Sequence, residues 1–161
     1  MNASVNVELQ VACRTETIPH EDDIRAWIED TLRLSPNVAA GEFEVVVRVV
    51  DERESRALNY RFRQTDKPTN VLAFPSVEAA EIAELPEPAS MPLGDLALCA
   101  PVLEREARQQ GKSPAAHWGH LLVHGTLHLL GYDHQNEDEA AQMERLEAGI
   151  LAARGVADPY A

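Results

Sequence analysis

Three imidazoles stand at spacings suited to a single metal ion in the run His124-Gly125-Thr126-Leu127-His128-Leu129-Leu130-Gly131-Tyr132-Asp133-His134. His124 and His128 are four residues apart, so on a helix their rings leave one face a turn apart and can chelate one cation. Gly131 suits the end of such a helix, where it can fold the chain back, and His134 then offers a third nitrogen. Three protein ligands leave a fourth position for water, as in catalytic zinc sites, and water held there has its pKa lowered toward neutrality. Hydrolysis is the natural reaction class.

The pattern H-x-x-x-H-x-x-G-x-x-H is the spacing of the extended zinc site of metzincin proteases. Four specified residues in fixed register coincide by chance less than about once in a hundred thousand start points, given background frequencies of a few per cent. One difference matters. Where those proteases carry a catalytic glutamate directly after the first histidine, this chain has Gly125, which argues against peptide hydrolysis in their manner. Glycine in a helix costs about 1 kcal/mol relative to alanine, so Gly125 also predicts a close approach of some other element to the helix near the ion. His117 and His120 fall on roughly the same side, but at about 1.5 Å of rise per residue one ion cannot collect ligands from 117 to 128. They are read as lying behind the ligands or at the surface. Zinc, one ion per chain, is the expected cofactor, although imidazole also suits nickel, copper and iron.

A helix over 114–130 is needed to present these rings, and the sequence supplies its signals: Ser113-Pro114 at the start and Gly131 at the end. Upstream, Val5, Val7, Leu9, Val11 and Cys13 alternate as a strand with one buried face. Ile24, Trp27, Ile28, Thr31 and Leu32 follow helical spacing after Pro19, until Ser35-Pro36-Asn37 breaks it. Phe43, Val45, Val47 and Val49, with Val46 and Val50 between them, predict a central strand covered partly on both faces. Asp51 and Glu54 make a capping-box-like start for a helix through Ala57, Leu58 and Phe62, ending before Asp66-Lys67-Pro68. A strand from Asn70 to Phe74 follows. Segment 75–93, with Pro75, Pro86, Pro88 and Pro92, predicts a poorly ordered, exposed loop. A short strand from Leu96 to Cys99 leads into a helix with Pro101 in its first turn and Gly111 just past its end. A last amphipathic helix carries Ala140, Met143, Leu146 and Ile150. The order β α β α β β α α α describes an α+β chain, a single domain over 1–161, with a mixed sheet of about four strands packed with about five helices.

Composition bounds the function. The chain has 161 residues, 45% hydrophobic and 25% charged, an ordinary globular balance. No apolar run approaches a membrane span, and the N-terminus has no signal-peptide pattern, so a cytoplasmic location is expected. Cys13 and Cys99 form no C-x-x-C pair and read as buried structural thiols. The net charge of −13 repels a phosphate backbone at long range, so any nucleic-acid contact must be local. The cations gather at Arg53, Arg56, Arg61, Arg63 and Lys67, a cluster that elsewhere is often just a solvated helix face.

HGTLHLLGYDH, together with DKPTNVLAFP at 66–75 and LGDLALC at 93–99, resembles the YbeY family of bacterial endoribonucleases over most of the chain. The resemblance implies an α/β sandwich around a mixed sheet, with work in ribosomal RNA maturation, notably the 3′ end of 16S rRNA, and in ribosome quality control. Ribosomal RNA and ribosome-associated proteins are the implied partners. It matches His124, His128 and His134 to zinc ligands, and Arg63, within LNYRFRQTDKPTN, to a functional arginine. An arginine facing the metal could clamp a phosphodiester and offset charge building on its oxygens, so Arg63 and His124 are the expected catalytic residues. Lys67 is a weaker phosphate-binding candidate, and Arg61 weaker still. Asp95 and Asp133 could orient an imidazole or accept a proton, or simply bond local backbone. Thr69 and Asn70 could bond backbone at the start of a strand. A rival reading is a ribosome-assembly binding factor whose metal is mainly structural. A protease with an unrecognised base is a third.

Overall fold

Alternating valines build the sheet. The computed structural model describes residues 3–76, 90–133 and 135–160. Phe43, Val45, Val47 and Val49 share one face of β2 (Gly41–Val50) and are all buried, and Val50 is buried on the other. This two-sided cover fits an interior strand: the sheet order is β1-β2-β4-β3, with β1 (Ala3–Val11), β3 (Val71–Pro75) and β4 (Ser90–Cys99). β1, β2 and β4 run parallel, while β3 lies antiparallel to β4 at the edge, pairing Val71 with Leu98 and Pro75 with Gly94. The described residues thus form a mixed sheet with five helices, α1 (Glu21–Leu34), α2 (Glu52–Arg63), α3 (Ala100–Gln110), α4 (Pro114–Leu129) and α5 (Glu137–Ala152).

Local signals set the helix ends. Asp51 Oδ1 accepts from the Glu54 backbone N–H at 2.8 Å, and Ser113 Oγ accepts from that of Ala116 at 3.1 Å. Gly111, at φ 66°, closes α3. The buried residues of α1 are Ile24, Trp27, Ile28, Thr31 and Leu32, the set given by the helical spacing. α1 and α4 pack closely enough that a Cβ on Gly119 would lie 2.6 Å from the Trp27 ring. One layer of the core therefore joins α1, α4 and the buried face of the sheet, while Val50, Cys99 and Val102 form a second, small cluster.

Four expectations need correction. β4 begins at Ser90, six residues before the expected Leu96, so Ser90 to Leu93 are strand rather than loop; at the other end Pro75 closes β3, and residues 77–89 of the expected loop lie outside the described residues. Pro92 and Gly94 hid the strand. Their backbone is tolerated because the pairing with β2 shifts register between Glu44 and Val45, where a ladder bond is not required. Cys13 lies past the end of β1 and is only half-buried, whereas Cys99 is buried as expected. In α2 the buried residues are Ser55 and Asn59; Ala57 and Phe62 are exposed and Leu58 is half-buried.

Candidate active site

The C-terminal end of α4 carries the first two histidines side by side. Their Nε2 atoms lie 3.1 Å apart and their ring centroids 4.7 Å apart. Two nitrogens on one tetrahedral ion at about 2.05 Å would be about 3.3 Å apart, so this pair nearly has the spacing of two ligands already. α4 ends in the paired bonds of a glycine-capped stop, Gly131 N–H to His128 O and Tyr132 N–H to Leu127 O, each 3.0 Å, with Gly131 at φ 98°. That is the left-handed helix stop anticipated for Gly131. His134 itself lies outside the described residues.

Gly125 is explained by what stands against it. A Cβ there would sit 2.9 Å from Leu96 Cδ2 and 3.1 Å from Val71 Cγ2, so the missing side chain lets β3 and β4 press against α4 between its two histidines. The close approach comes from the protein's own sheet. It leaves a cavity of about 590 Å³ between β3 and the end of α4. His124, His128, Tyr132 and Asp133 line one side, Thr69 to Ala73 the other, and Arg63 joins them from the end of α2. Arg63 Nη2 donates to Ala73 O at 3.0 Å. The structure thus brings Arg63, His124 and His128 to one cavity.

Other candidates divide. Asp133 lines the cavity, but Asp95 is exposed and, by strand alternation, points away from the face on which Leu96 meets α4. Lys67 is exposed and is not among the cavity-lining residues; its carbonyl accepts from Asn59 Nδ2 at 2.8 Å. Thr69 and Asn70 do bond backbone: Thr69 N–H donates to Ser55 Oγ at 3.0 Å, and Asn70 Oδ1 accepts from the Val71 N–H at 2.7 Å. Asn70 Nδ2 also donates to Glu106, whose Oε1 lies 2.8 Å from His117 Nε2. His117 is therefore a buried, partnered residue and not a surface one; burial depresses its pKa, against the pull of Glu106.

Behind the histidine pair stands a carboxylate that the sequence reading passed over. Glu147 of α5 is fully buried, with Oε1 against His124 Nδ1 and Oε2 3.1 Å from His120 Nε2, and the Tyr160 hydroxyl donates to Oε2. Burial pushes this carboxyl up, but the bonds from His120 and His124, the charge of His124 and the Tyr160 hydroxyl outweigh it and hold the pKa at about 2. Burial and the same carboxylate drive the Tyr160 phenol upward. The available signal was an acid on an apolar stripe, since Glu147 shares the buried face of α5 with Met143, Ile150 and Leu151. Ligand atoms of His120, His124 and Glu147 lie within 4.8 Å of one another, a group able to hold a metal ion.

The sequence profile of the family Endoribonuclease YbeY matches residues 10–155. A relative named Endoribonuclease YbeY from Pseudomonas putida (strain W619) is 47% identical over 157 residues, covering 98% of this chain and 94% of its own. One of the same name from Alkalilimnicola ehrlichii is 49% identical, covering 99% and 97%. In fold the chain is similar to the solution structure of TM1509 from Thermotoga maritima, with a TM-score of 0.54 at 20% identity over 92% of this chain and 91% of that one. With the profile spanning nearly the whole sequence and relatives this close at full length, the chain belongs to the Endoribonuclease YbeY family.

Proposed function

We propose that this protein is a metal-dependent endoribonuclease acting in ribosomal RNA maturation, at the 3′ end of 16S rRNA, and in ribosome quality control. The observation that carries the reading is the shared cavity of Arg63, His124 and His128. His124, His128 and His134 are the proposed ligands of one zinc ion. The 3.1 Å between the first two Nε2 atoms supports this set, as does the Gly131 turn that precedes His134. The alternative group of His120, His124 and Glu147 is less suited. Its carboxylate is wholly buried and already accepts from two imidazoles and a phenol, and a cation there would have to displace those bonds. Glu147 is better read as the acceptor that fixes the His124 ring, so that Nε2 faces the cavity.

Zinc so bound supplies Lewis acidity and a water acidified toward neutral pH. The chain's own residues do the rest. Arg63 presents a planar guanidinium whose fork matches two phosphate oxygens, offsetting the charge that builds on them. Of the two motif carboxylates, Asp133 shares the cavity, so a proton-accepting role falls to it and not to Asp95. Lys67, exposed four residues beyond Arg63, would meet phosphates away from the scissile one. The proposed work beside ribosomes would take place in the cytoplasm; no described helix is long and apolar enough to cross a membrane.

The test is cleavage of structured ribosomal RNA in metal-defined buffer. His124→Ala and Arg63→Glu should each lose activity while remaining folded; activity equal to the parent's would sink the assignment. The net charge of −13 favours a second reading, a ribosome-assembly factor whose main work is binding and whose metal is structural. If folded ligand variants still mature ribosomal RNA in cells, that reading replaces the first.

A further inference from the structure

The chain beyond α5 turns back toward the histidines. α5 ends at Ala152, and Gly155, at φ 77°, reverses the backbone: its N–H donates to Ala152 O and that of Val156 to Leu151 O, each at 3.0 Å. Two anchors hold this turn. Val156 packs against the hydrophobic core, and Arg154 bonds Asp30 of α1, with its guanidinium carbon 5.9 Å from the centre of the Trp27 ring. The following residues then carry Tyr160 to Glu147, a residue 13 positions earlier in the chain.

Packing does not account for Tyr160. The residue is 44% exposed, yet its hydroxyl donates to a carboxylate that is wholly buried. A ring left partly in water, with its polar end engaged inside, is placed by that polar end. The rest of the residue is held as well. Its N–H donates to Asp158 Oδ1 at 2.8 Å, and its ring meets that of His120 edge to face, with centroids 5.7 Å apart.

The two oxygens of Glu147 divide their partners. Oε1 faces His124 Nδ1, while Oε2 takes the Tyr160 hydroxyl and lies 3.1 Å from His120 Nε2. Three donors from three directions fix the plane of the carboxylate, and that plane sets the His124 ring. Removing the hydroxyl leaves Oε2 a buried oxygen with one donor fewer, and such an oxygen turns toward any cation in reach. One cation site is in reach, because ligand atoms of His120, His124 and Glu147 lie within 4.8 Å of one another. His124 belongs to both sets of ligands. The hydroxyl therefore keeps Oε1 on Nδ1 and keeps Oε2 occupied, so that the ion is left to Nε2 on the cavity side. We infer that Tyr160 is a positioning residue for His124, acting through Glu147. The inference rests on the reading of His124 as a zinc ligand.

Tyr160→Phe tests it, since this change keeps the ring and its contact with His120 and removes one exposed-side hydroxyl from a chain that otherwise packs as before. Zinc affinity is measured on the full chain by chelator competition. In the same samples the His124 Nδ1 proton is followed by long-range 1H–15N correlation in the zinc-loaded protein. Tyr160→Phe should bind zinc about threefold to tenfold more weakly, less than the 10- to 100-fold typical of a group bonded directly to a ligand, because Tyr160 acts one bond further out. The Nδ1 resonance should move or broaden. Val5→Ala, in β1 at the opposite edge of the sheet from β3, is the control for lost stability alone and should keep both parental values. Parental affinity in Tyr160→Phe, or an unmoved Nδ1 resonance, would overturn the inference, as would an equal loss of affinity in Val5→Ala. A parent that takes up no zinc, or takes it up equally with His124→Ala, would remove the zinc reading itself. That result is distinct from failure of the positioning role, in which the parent binds zinc through His124 and Tyr160→Phe matches it.

Discussion

Glu147→Gln removes a charge from the centre of the protein while keeping its shape, and its cost can be worked from the site. The carboxyl is held at about 2 against an ordinary 4.5. At about 1.4 kcal/mol per unit, the folded state favours the ionised form by roughly 3 kcal/mol. Glutamine can still accept one bond and donate another, so a loss of about 1 to 3 kcal/mol at neutral pH is expected. For a chain of this length each kcal/mol moves Tm by about 2–4 °C, which puts the metal-free variant about 2–12 °C below the parent. The sign in pH follows from the lowered folded-state pKa. The stabilisation is complete above the unfolded value near 4.5 and fades as pH falls toward about 2. Parent and variant should therefore differ most near neutrality and converge in acid. Because Glu147 also bonds His124, a proposed zinc ligand, zinc affinity measured by chelator competition should, on that proposal, fall about 10- to 100-fold. Melting curves of metal-free protein at several pH values, with the competition titration, give both numbers. A variant that matches the parent in Tm, in pH slope and in zinc affinity would refute the role given to this carboxylate.

Gly119→Ala should destabilise the protein by about 1–3 kcal/mol in urea, despite a gain of about 1 kcal/mol in helix propensity, because the added carbon meets the stiff Trp27 ring; a stabilised variant would mean α1 and α4 are not so tightly packed. Stripping the ion with EDTA should lower Tm by about 5–11 °C relative to protein kept at a hundredfold excess of zinc over Kd, which is worth about 2.7 kcal/mol. Identical melts would argue that no ion binds the folded state.

Much of this was legible before any coordinates, and the reasons differ by element. The order of strands and helices follows from periodicity, and the ends of α2, α3 and α4 from Asp51, Pro101, Gly111 and Ser113, because these act through local backbone chemistry. The pairing of His124 with His128 was legible because a helix fixes it. Glu147 was not, since its partners His124 and Tyr160 lie 23 residues before and 13 after it, and its helix is crowded with solvated acids that disguise a buried one. Asp95 failed as a candidate for a related reason: a motif places residues in sequence, but the two-residue period of a strand decides which face each one serves. The exposed rings of α2 were likewise hidden, because a phenylalanine at helical spacing reads as core unless the neighbouring polar residues are known to be occupied.

Among the described residues β3 has β4 on one side only, so the carbonyls and amides along its other rim could template another strand. The bond from Arg63 to Ala73 O places a fixed positive charge on that rim. Such a guard discourages edge-to-edge growth between copies, at the same residue that is proposed to clamp the phosphate. Proteins lacking this arginine should therefore aggregate more readily, and light scattering belongs beside every kinetic trace recorded on them.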